Sequence, residues 1–146
     1  MEVVSKTIPN KYLLSQVCKL LGEGKEIMLR AKGNSMFPFI RDSIDTIVLM
    51  PLKNDVLEGD IVLALTSDGR YLVHRVLAMS GECVTLMGDG NIGQKESCKM
   101  ADIHGRAIAV ERKGKRISLI SPRAKSAMRL WRMLLPVRRY LLAIYR

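Results

Sequence analysis

Residues 59–89 form the stretch GDIVLALTSDGRYLVHRVLAMSGECVTLMGD, which decides the fold class. It contains three apolar runs, at 59–66, 70–79 and 82–89, and each is bounded by turn residues. Short aliphatic and β-branched runs between such residues are typical of strands. The connections SDG and SGE have the length of hairpin loops. The stretch therefore predicts three consecutive antiparallel strands.

Four similar runs lie on either side of this stretch: EIMLRAK at 26–32, DTIVLMPL at 45–52, GRAIAVER at 105–112 and KRISLI at 115–120. Seven short strands joined by tight turns predict a mostly β protein, with a coiled antiparallel sheet or a small barrel. The 146 residues are enough for one domain with a genuine core, and too few for two full domains.

Helical patterns are found only at the two ends of the chain. Asn10 can cap a short helix over 10–22, whose apolar residues recur at helical spacing until Gly22. From residue 121 the pattern is helical again, with a kink expected at Pro136. We therefore predict a domain over 1–120, including the first helix, followed by a helical tail over 121–146.

The net charge of +10 is concentrated at the C-terminal end. Residues 1–110 hold 13 basic and 13 acidic side chains, whereas residues 111–146 hold 11 basic side chains and only Glu111. The body of the protein is therefore electrically neutral and the tail is cationic. A surface of that sign attracts anionic lipid or nucleic acid.

The tail allows three interpretations. Its basic residues can contact lipid headgroups while Trp131 and the aliphatic residues enter the acyl boundary; the tail can dock in a groove of a partner; or it can pack back on the domain. The longest apolar run, 140–145, is far shorter than the roughly 20 residues that span a bilayer. Nucleic acid is disfavoured, because aromatic residues do not alternate with the basic ones. The candidate contact residues are Arg129, Trp131, Arg132 and Arg139, in a basic stripe with Lys125 and Arg146.

Cysteine content and the N-terminus bear on the compartment. Cys18, Cys83 and Cys98 are odd in number and lack metal-ligand spacing, which favours free thiols in a reducing compartment. The N-terminus has neither a basic region nor a long apolar one, so no signal peptide is expected. These features and the basic tail predict peripheral membrane association on the cytoplasmic side.

The segment KGNSMFPFI at 32–40 contains a serine in a turn directly after the first predicted strand. A serine hydroxyl becomes a good nucleophile when a neighbouring base takes its proton. His74, in the middle of an apolar strand, is the one credible base, and neutral imidazole acts near neutral pH. Ser35 and His74 therefore form a candidate nucleophile and base. As isolated residues, they are equally consistent with a turn cap and a core histidine.

A base of this kind is often oriented by a carboxylate. The candidates are Asp60, Asp89, Glu96 and Asp102. Asp89 lies where a strand enters a Gly/Asn turn, a position at which an aspartate often caps backbone amides. Turn chemistry alone favours a structural role for both Asp60 and Asp89.

The blocks GNSMFPFI, LEGDIVLA, YLVHRVL, LMGDGN and DIHGRAIAVER occur in an order and spacing that resemble the signal-peptidase-like serine peptidases. This superfamily unites type I signal peptidases with self-cleaving repressor peptidases, and the resemblance covers roughly residues 25–112. It implies a coiled β fold with the nucleophile at Ser35. The bacterial members use a lysine as the base, whereas His74 at that position is similar to the archaeal and endoplasmic-reticulum type.

Two departures from the family pattern affect the site. Asp89 matches the first acid of the histidine type, but the later acidic position falls near Gln94, with Glu96 the nearest carboxylate. Many bacterial members carry a hydroxyl two residues before the nucleophile, and here that residue is Gly33. The amide of Ser35, helped by Asn34, would then stabilise more of the oxyanion. Losing one such donor costs about a hundredfold in rate.

These features predict a serine endopeptidase that cleaves a leader or signal-like segment from a precursor protein. Ser35 attacks, His74 moves the proton, and Asp89 orients His74 or shapes its own turn. Met36, Phe37 and Phe39 either line a substrate groove or pack in the core. The mechanism requires no metal or organic cofactor. The alternative is a weak or inactive member that acts as a peptide-binding or repressor-like module, although residues 1–25 are too few for a helix-turn-helix domain.

Overall fold

A computed structural model describes residues 2–4, 10–33, 35–91 and 93–145. The strands are β1 (Glu2–Val4), β2 (Ile27–Arg30), β3 (Asp45–Met50), β4 (Ile61–Leu65), β5 (Tyr71–Ser80), β6 (Cys83–Met87), β7 (Glu96–Lys99), β8 (Ile103–Arg112) and β9 (Lys115–Ser118). The α-helices are α1 (Asn10–Gly22), α2 (Pro122–Met133) and α3 (Arg138–Tyr145). Short 3-10 turns lie at Met100–Asp102 and Leu135–Val137.

The nine strands form one curled sheet in the order β1-β2-β3-β8-β4-β5-β6-β7, with β9 paired to β8. Only β1 and β2 pair in parallel, and all other pairs in the described chain are antiparallel. The predicted mostly β class and antiparallel sheet are confirmed, with a strand in each of the seven predicted runs.

Two strands, β1 and β7, were not predicted. In β7 only Cys98 is buried, so the sequence there lacks the alternation that marks a half-buried strand. Its backbone instead forms an antiparallel pair with β6, in which Glu96 lies opposite Leu86. β1 has three residues and pairs with β2 from a distant part of the chain. Pairing of this kind depends on tertiary structure rather than on local pattern.

The core has two main parts. One lies between α1, β2, β3 and β8, where Leu13, Val17 and Leu21 of α1 are buried on one helical face. The helix approaches β8 closely because Gly105 has no side chain, and a methyl group there would lie 2.8 Å from Leu21 Cδ1. The second part fills the space between β4, β5, β6 and β7.

The C-terminal helices pack against the sheet. Ser121 caps α2 by accepting a hydrogen bond from the Ala124 amide at 3.1 Å, and Pro122 occupies the first turn. The 3-10 turn that contains Pro136 separates α2 from α3, so the predicted kink is confirmed. Met128, Trp131 and Leu142 are buried. In the part of the chain that is described, no helix combines the length and apolar character required to cross a bilayer.

Candidate active site

Ser35 begins the turn that follows β2. The Met36 carbonyl accepts hydrogen bonds from the amides of Phe39 at 3.0 Å and Ile40 at 2.9 Å, which closes the turn. Met36 and Ile40 are buried in the core, and Ser35 is half-buried. Two core side chains therefore fix the turn that carries the candidate nucleophile. Asn34, its neighbour in the predicted groove, lies outside the described residues.

The backbone of Ser35 packs against the end of β6. Arg75 of β5 pairs with Met87, the last residue of β6, and Gly88 follows directly after that pair. A methyl group on Gly88 would lie 3.1 Å from the carbonyl carbon of Ser35 and closer still to its oxygen. The Ser35 backbone therefore packs directly on the end of β6, the strand that pairs with the His74-bearing strand β5.

A backbone hydrogen bond holds Ser35 in this place. The Gly90 amide donates to the Ser35 carbonyl at 2.8 Å. The turn at residues 88–91 is closed by a bond of 3.0 Å from the Asn91 amide to the Gly88 carbonyl. The serine turn thus rests directly on the turn that follows β6, with no side chain between the two at Gly88.

His74 is 6% exposed, and its Nδ1 atom is buried without a hydrogen-bond partner in the described chain. Burial lowers the pKa of His74 from 6.5 to about 4, with a further lowering by Arg70 and a partial compensation by Asp89. The imidazole is therefore neutral at pH 7 and can accept a proton. This is the protonation state that a general base requires.

The Asp89 carboxylate binds Arg75 and not His74. Its two oxygens accept from Arg75 Nε at 2.7 Å and Nη2 at 2.5 Å, and both side chains are buried. Alternation along β5 places Arg75 on the face opposite to His74, and Asp89 lies on the same side as Arg75. The hydrogen bond by which Asp89 would orient His74 is therefore not present here. The Asp89 side chain instead ties its turn to β5 through Arg75, and the alternative, that Asp89 shapes its own turn, stays a prediction.

Two of the other three acidic candidates, Asp60 and Glu96, also have basic or backbone partners. Glu96 binds Arg70 at 2.6 Å. Asp60 accepts from the Leu57 amide at 2.9 Å and from Arg106 at 3.1 Å, in agreement with the structural role predicted for it. Neither carboxylate forms a hydrogen bond to His74 in the described part of the structure. The described residues contain no group of three or more side chains that could hold a metal ion.

A cleft of about 210 Å³ opens beside Ser35. One side is formed by the end of β2 and the chain that follows it, and the other by the first residues of β5. Its apolar lining includes Leu13, Leu29, Met36, Ile47, Leu72 and Val73. Met36 is thus both a core residue and a wall of the cleft, whereas Phe39 contacts Trp131 of α2 and Arg75 of β5.

Gly33 lies at the rim of the same cleft, with a φ of +82°. Its amide donates to Asp42 Oδ1 at 2.8 Å. This bond takes the Gly33 amide away from any oxyanion in the cleft. The oxyanion role predicted for the Ser35 amide stays a prediction.

The C-terminal helices support the turn at residues 88–91. Trp131 Nε1 donates to the Asp89 carbonyl at 2.9 Å, and Arg138 Nη1 donates to the Asn91 carbonyl at 3.3 Å. Trp131 is 8% exposed, so it is not available to a membrane in this arrangement. Arg138, which sequence reasoning did not select, is also buried and stacks over Trp131. The tail is thereby joined to the turn on which the Ser35 turn rests.

The remaining tail candidates differ in their surroundings. Arg132 donates to the Leu77 carbonyl at 2.9 Å and pairs with Glu58 at 3.3 Å, so it is tied to the domain. Arg129 and Arg139 are exposed. Arg75, which binds Asp89, the Gly59 carbonyl and Met128, was not selected from the sequence. Its position directly after His74, in an otherwise apolar strand, was the available signal for a buried ion pair.

Comparison with known proteins agrees with this geometry. The sequence model of the family described as Peptidase S24-like matches residues 3–108. A search of curated proteins found no match. The family match confirms the resemblance to the signal-peptidase-like superfamily, while the Ser–His subtype stays a prediction. A curled antiparallel sheet, a serine turn resting on the strand pair that carries His74, and a match over most of the chain lead to one conclusion: this protein belongs to the Peptidase S24-like family.

Proposed function

We propose that the protein is a serine endopeptidase that cleaves a leader or signal-like segment from a precursor. Ser35 is the nucleophile and His74 is the base. The observation that carries the proposal is the position of Ser35, over Gly88 at the end of β6 and beside the apolar cleft that the first residues of β5 line. Membership of a peptidase family supports the same chemistry.

In the proposed reaction the Ser35 hydroxyl attacks the scissile carbonyl and its proton passes to His74. The tetrahedral intermediate collapses to an acyl-enzyme when His74 returns the proton to the leaving amine. Water then attacks the ester by the same route in reverse. Because no carboxylate among the described residues binds His74, the site works as a dyad, and the imidazole lacks the support that a third member supplies.

The cleft indicates the kind of substrate. Residues 71–74 of β5 pair with β4, whereas β6 pairs with β5 only from Arg75 onward. In the described chain the other edge of residues 71–74 has no strand beside it, so an extended peptide can add to the sheet there. The aliphatic lining favours an apolar side chain, and Arg30 and Lys32 at the cleft favour acidic or neutral residues nearby.

The experiment uses a fluorophosphonate probe, which acylates activated serines, with the modified residue located by mass spectrometry. The wild-type protein should be labelled at Ser35, and Ser35→Ala should lose labelling, whereas Ser80→Ala, at an exposed hairpin end, should keep it. His74→Gln should slow labelling by roughly a hundredfold or more, and His104→Gln is its matched control. Full labelling of Ser35→Ala would refute the nucleophile assignment.

A library of peptides then identifies the substrate class. The wild-type protein should cut within apolar segments, and Ser35→Ala should cut none of them. A second candidate function, a peptide-binding module, is favoured by the Gly33 amide, which is committed to Asp42. For a binding module, wild type and Ser35→Ala would bind the same peptides with equal affinity and neither would cut.

A further inference from the structure

The C-terminal helices leave a row of large apolar side chains exposed. The exposed fractions are 59% for Leu130, 77% for Met133, 43% for Val137, 64% for Tyr140 and 78% for Ile144. Their spacing is three, four, three and four residues, and within α2 and within α3 such spacing keeps side chains on one side of the helix. We call these five residues the apolar row. Five large apolar side chains exposed within residues 130–144 are unusual on a soluble surface and mark an interaction site.

The charges around the apolar row all have one sign. No Asp or Glu follows Glu111 in the sequence. Arg123, Lys125, Arg129 and Arg139 are exposed on the same two helices. An apolar row bordered by arginines and lysines, with no carboxylate on its own helices, complements a surface that is apolar inside and anionic outside.

The opposite side of the two helices is fixed to the domain. Met128, Trp131 and Leu142 are buried there, and Trp131 and Arg138 bind the backbone of the turn at residues 88–91. The helices therefore do not need to unfold or detach in order to present the apolar row. Leu130 and Met133 of the row lie on α2, Val137 lies on the 3-10 turn, and Tyr140 and Ile144 lie on α3. A row with this break does not suit a long straight partner helix but is compatible with a flat surface.

We propose that the apolar row binds the surface of an anionic lipid bilayer. Its side chains enter the interface between headgroups and acyl chains, and the surrounding arginines and lysines contact the headgroups. This surface would hold the domain on the membrane while Trp131 stays packed against the Asp89 carbonyl. The proposal does not depend on peptidase activity, because its evidence is the exposure and charge of α2 and α3 alone.

The test is co-sedimentation of the full chain with phosphatidylcholine vesicles, with and without phosphatidylglycerol. Binding should require the anionic lipid and weaken at high salt. Met133→Glu and Tyr140→Glu should each reduce binding at least about tenfold. Tyr12→Glu is the matched control, because Tyr12 is a helical tyrosine of similar exposure, 60% against 64%. Binding that is absent, or equal for all three variants and wild type, would overturn the proposal.

The single tryptophan tests how the helices bind. With brominated lipids, Trp131 fluorescence should remain unquenched, whereas a Tyr140→Trp variant in a Trp131→Phe background should be strongly quenched. Quenching of Trp131 itself would show that the helices detach, contrary to the proposal. Light scattering tests whether the apolar row instead binds a second copy of the protein. If the wild type is a dimer and Met133→Glu is a monomer, the row serves self-association and the proposal is overturned.

Discussion

Replacing Gly88 with alanine tests whether the position of Ser35 matters for chemistry. The added methyl group would lie 3.1 Å from the Ser35 carbonyl carbon, closer still to its oxygen, and 2.9 Å from Asn91 Nδ2. Because the nearest atoms include backbone, the serine turn has to move, by roughly 1 Å, to reach ordinary contact distance. A displacement of about 1 Å at a reacting group costs on the order of a hundredfold in rate.

The expected result is a decrease of about a hundredfold in the acylation rate of Ser35 by a fluorophosphonate. The free energy of unfolding should fall by about 1–3 kcal/mol, the usual cost of overpacking. The rate is measured from a time course of labelling by intact-protein mass spectrometry, and the stability from urea denaturation. Wild type and Gly88→Ala are compared at a temperature at which both are folded.

Gly105→Ala provides the control. Its methyl group would lie 2.8 Å from Leu21 Cδ1 and 3.1 Å from the Met50 carbonyl oxygen, between α1 and the sheet. It should also lose stability, while the acylation rate of Ser35 stays within about twofold of wild type. The reasoning is refuted if Gly88→Ala keeps the wild-type rate, or if Gly105→Ala slows acylation as much as Gly88→Ala does.

Three further predictions concern the groups around the site. The pKa of His74 is about 4 in the folded protein and 6.5 in the unfolded chain, so the unfolded chain takes up the proton first as the pH falls. Acidification from pH 6.5 to 4 should therefore lower the free energy of unfolding by about 3 kcal/mol. This contribution should be absent in His74→Gln. The labelling rate should likewise be flat above pH 5 and fall toward pH 4, as protonation removes the base. Trp131→Phe leaves the Asp89 carbonyl without its donor, which should cost about 1–3 kcal/mol in a denaturation followed by circular dichroism. Asp89→Leu leaves Arg75 buried without its carboxylate, which should lower the free energy of unfolding by about 3–5 kcal/mol. The double variant Asp89→Leu/Arg75→Met should recover part of that loss. An equal loss in the single and the double variant would contradict the role assigned to this ion pair.

The candidate site was only partly predictable from the sequence. Ser35 and His74 could be selected because few residue types act as nucleophile and base, and each occurs in a distinctive local setting. The partner of Asp89 could not be selected in the same way. Arg75, Trp131 and Asp89 are joined by hydrogen bonds that span 14 and 42 residues of sequence, and such partners become visible only when the register is known. The same holds for Gly88, whose importance comes from the turn above it.

The sequence by itself determined seven of the nine described strands, the hairpins between β4, β5 and β6, the kink at Pro136 and the cationic character of the tail. Each of these follows from interactions between residues close in the chain, and a periodic pattern records such interactions directly. Tertiary structure decided which polar groups pair and which side of the tail is buried. Both depend on how the curled sheet brings distant strands together, because alternation assigns side chains to a face but does not state what covers that face.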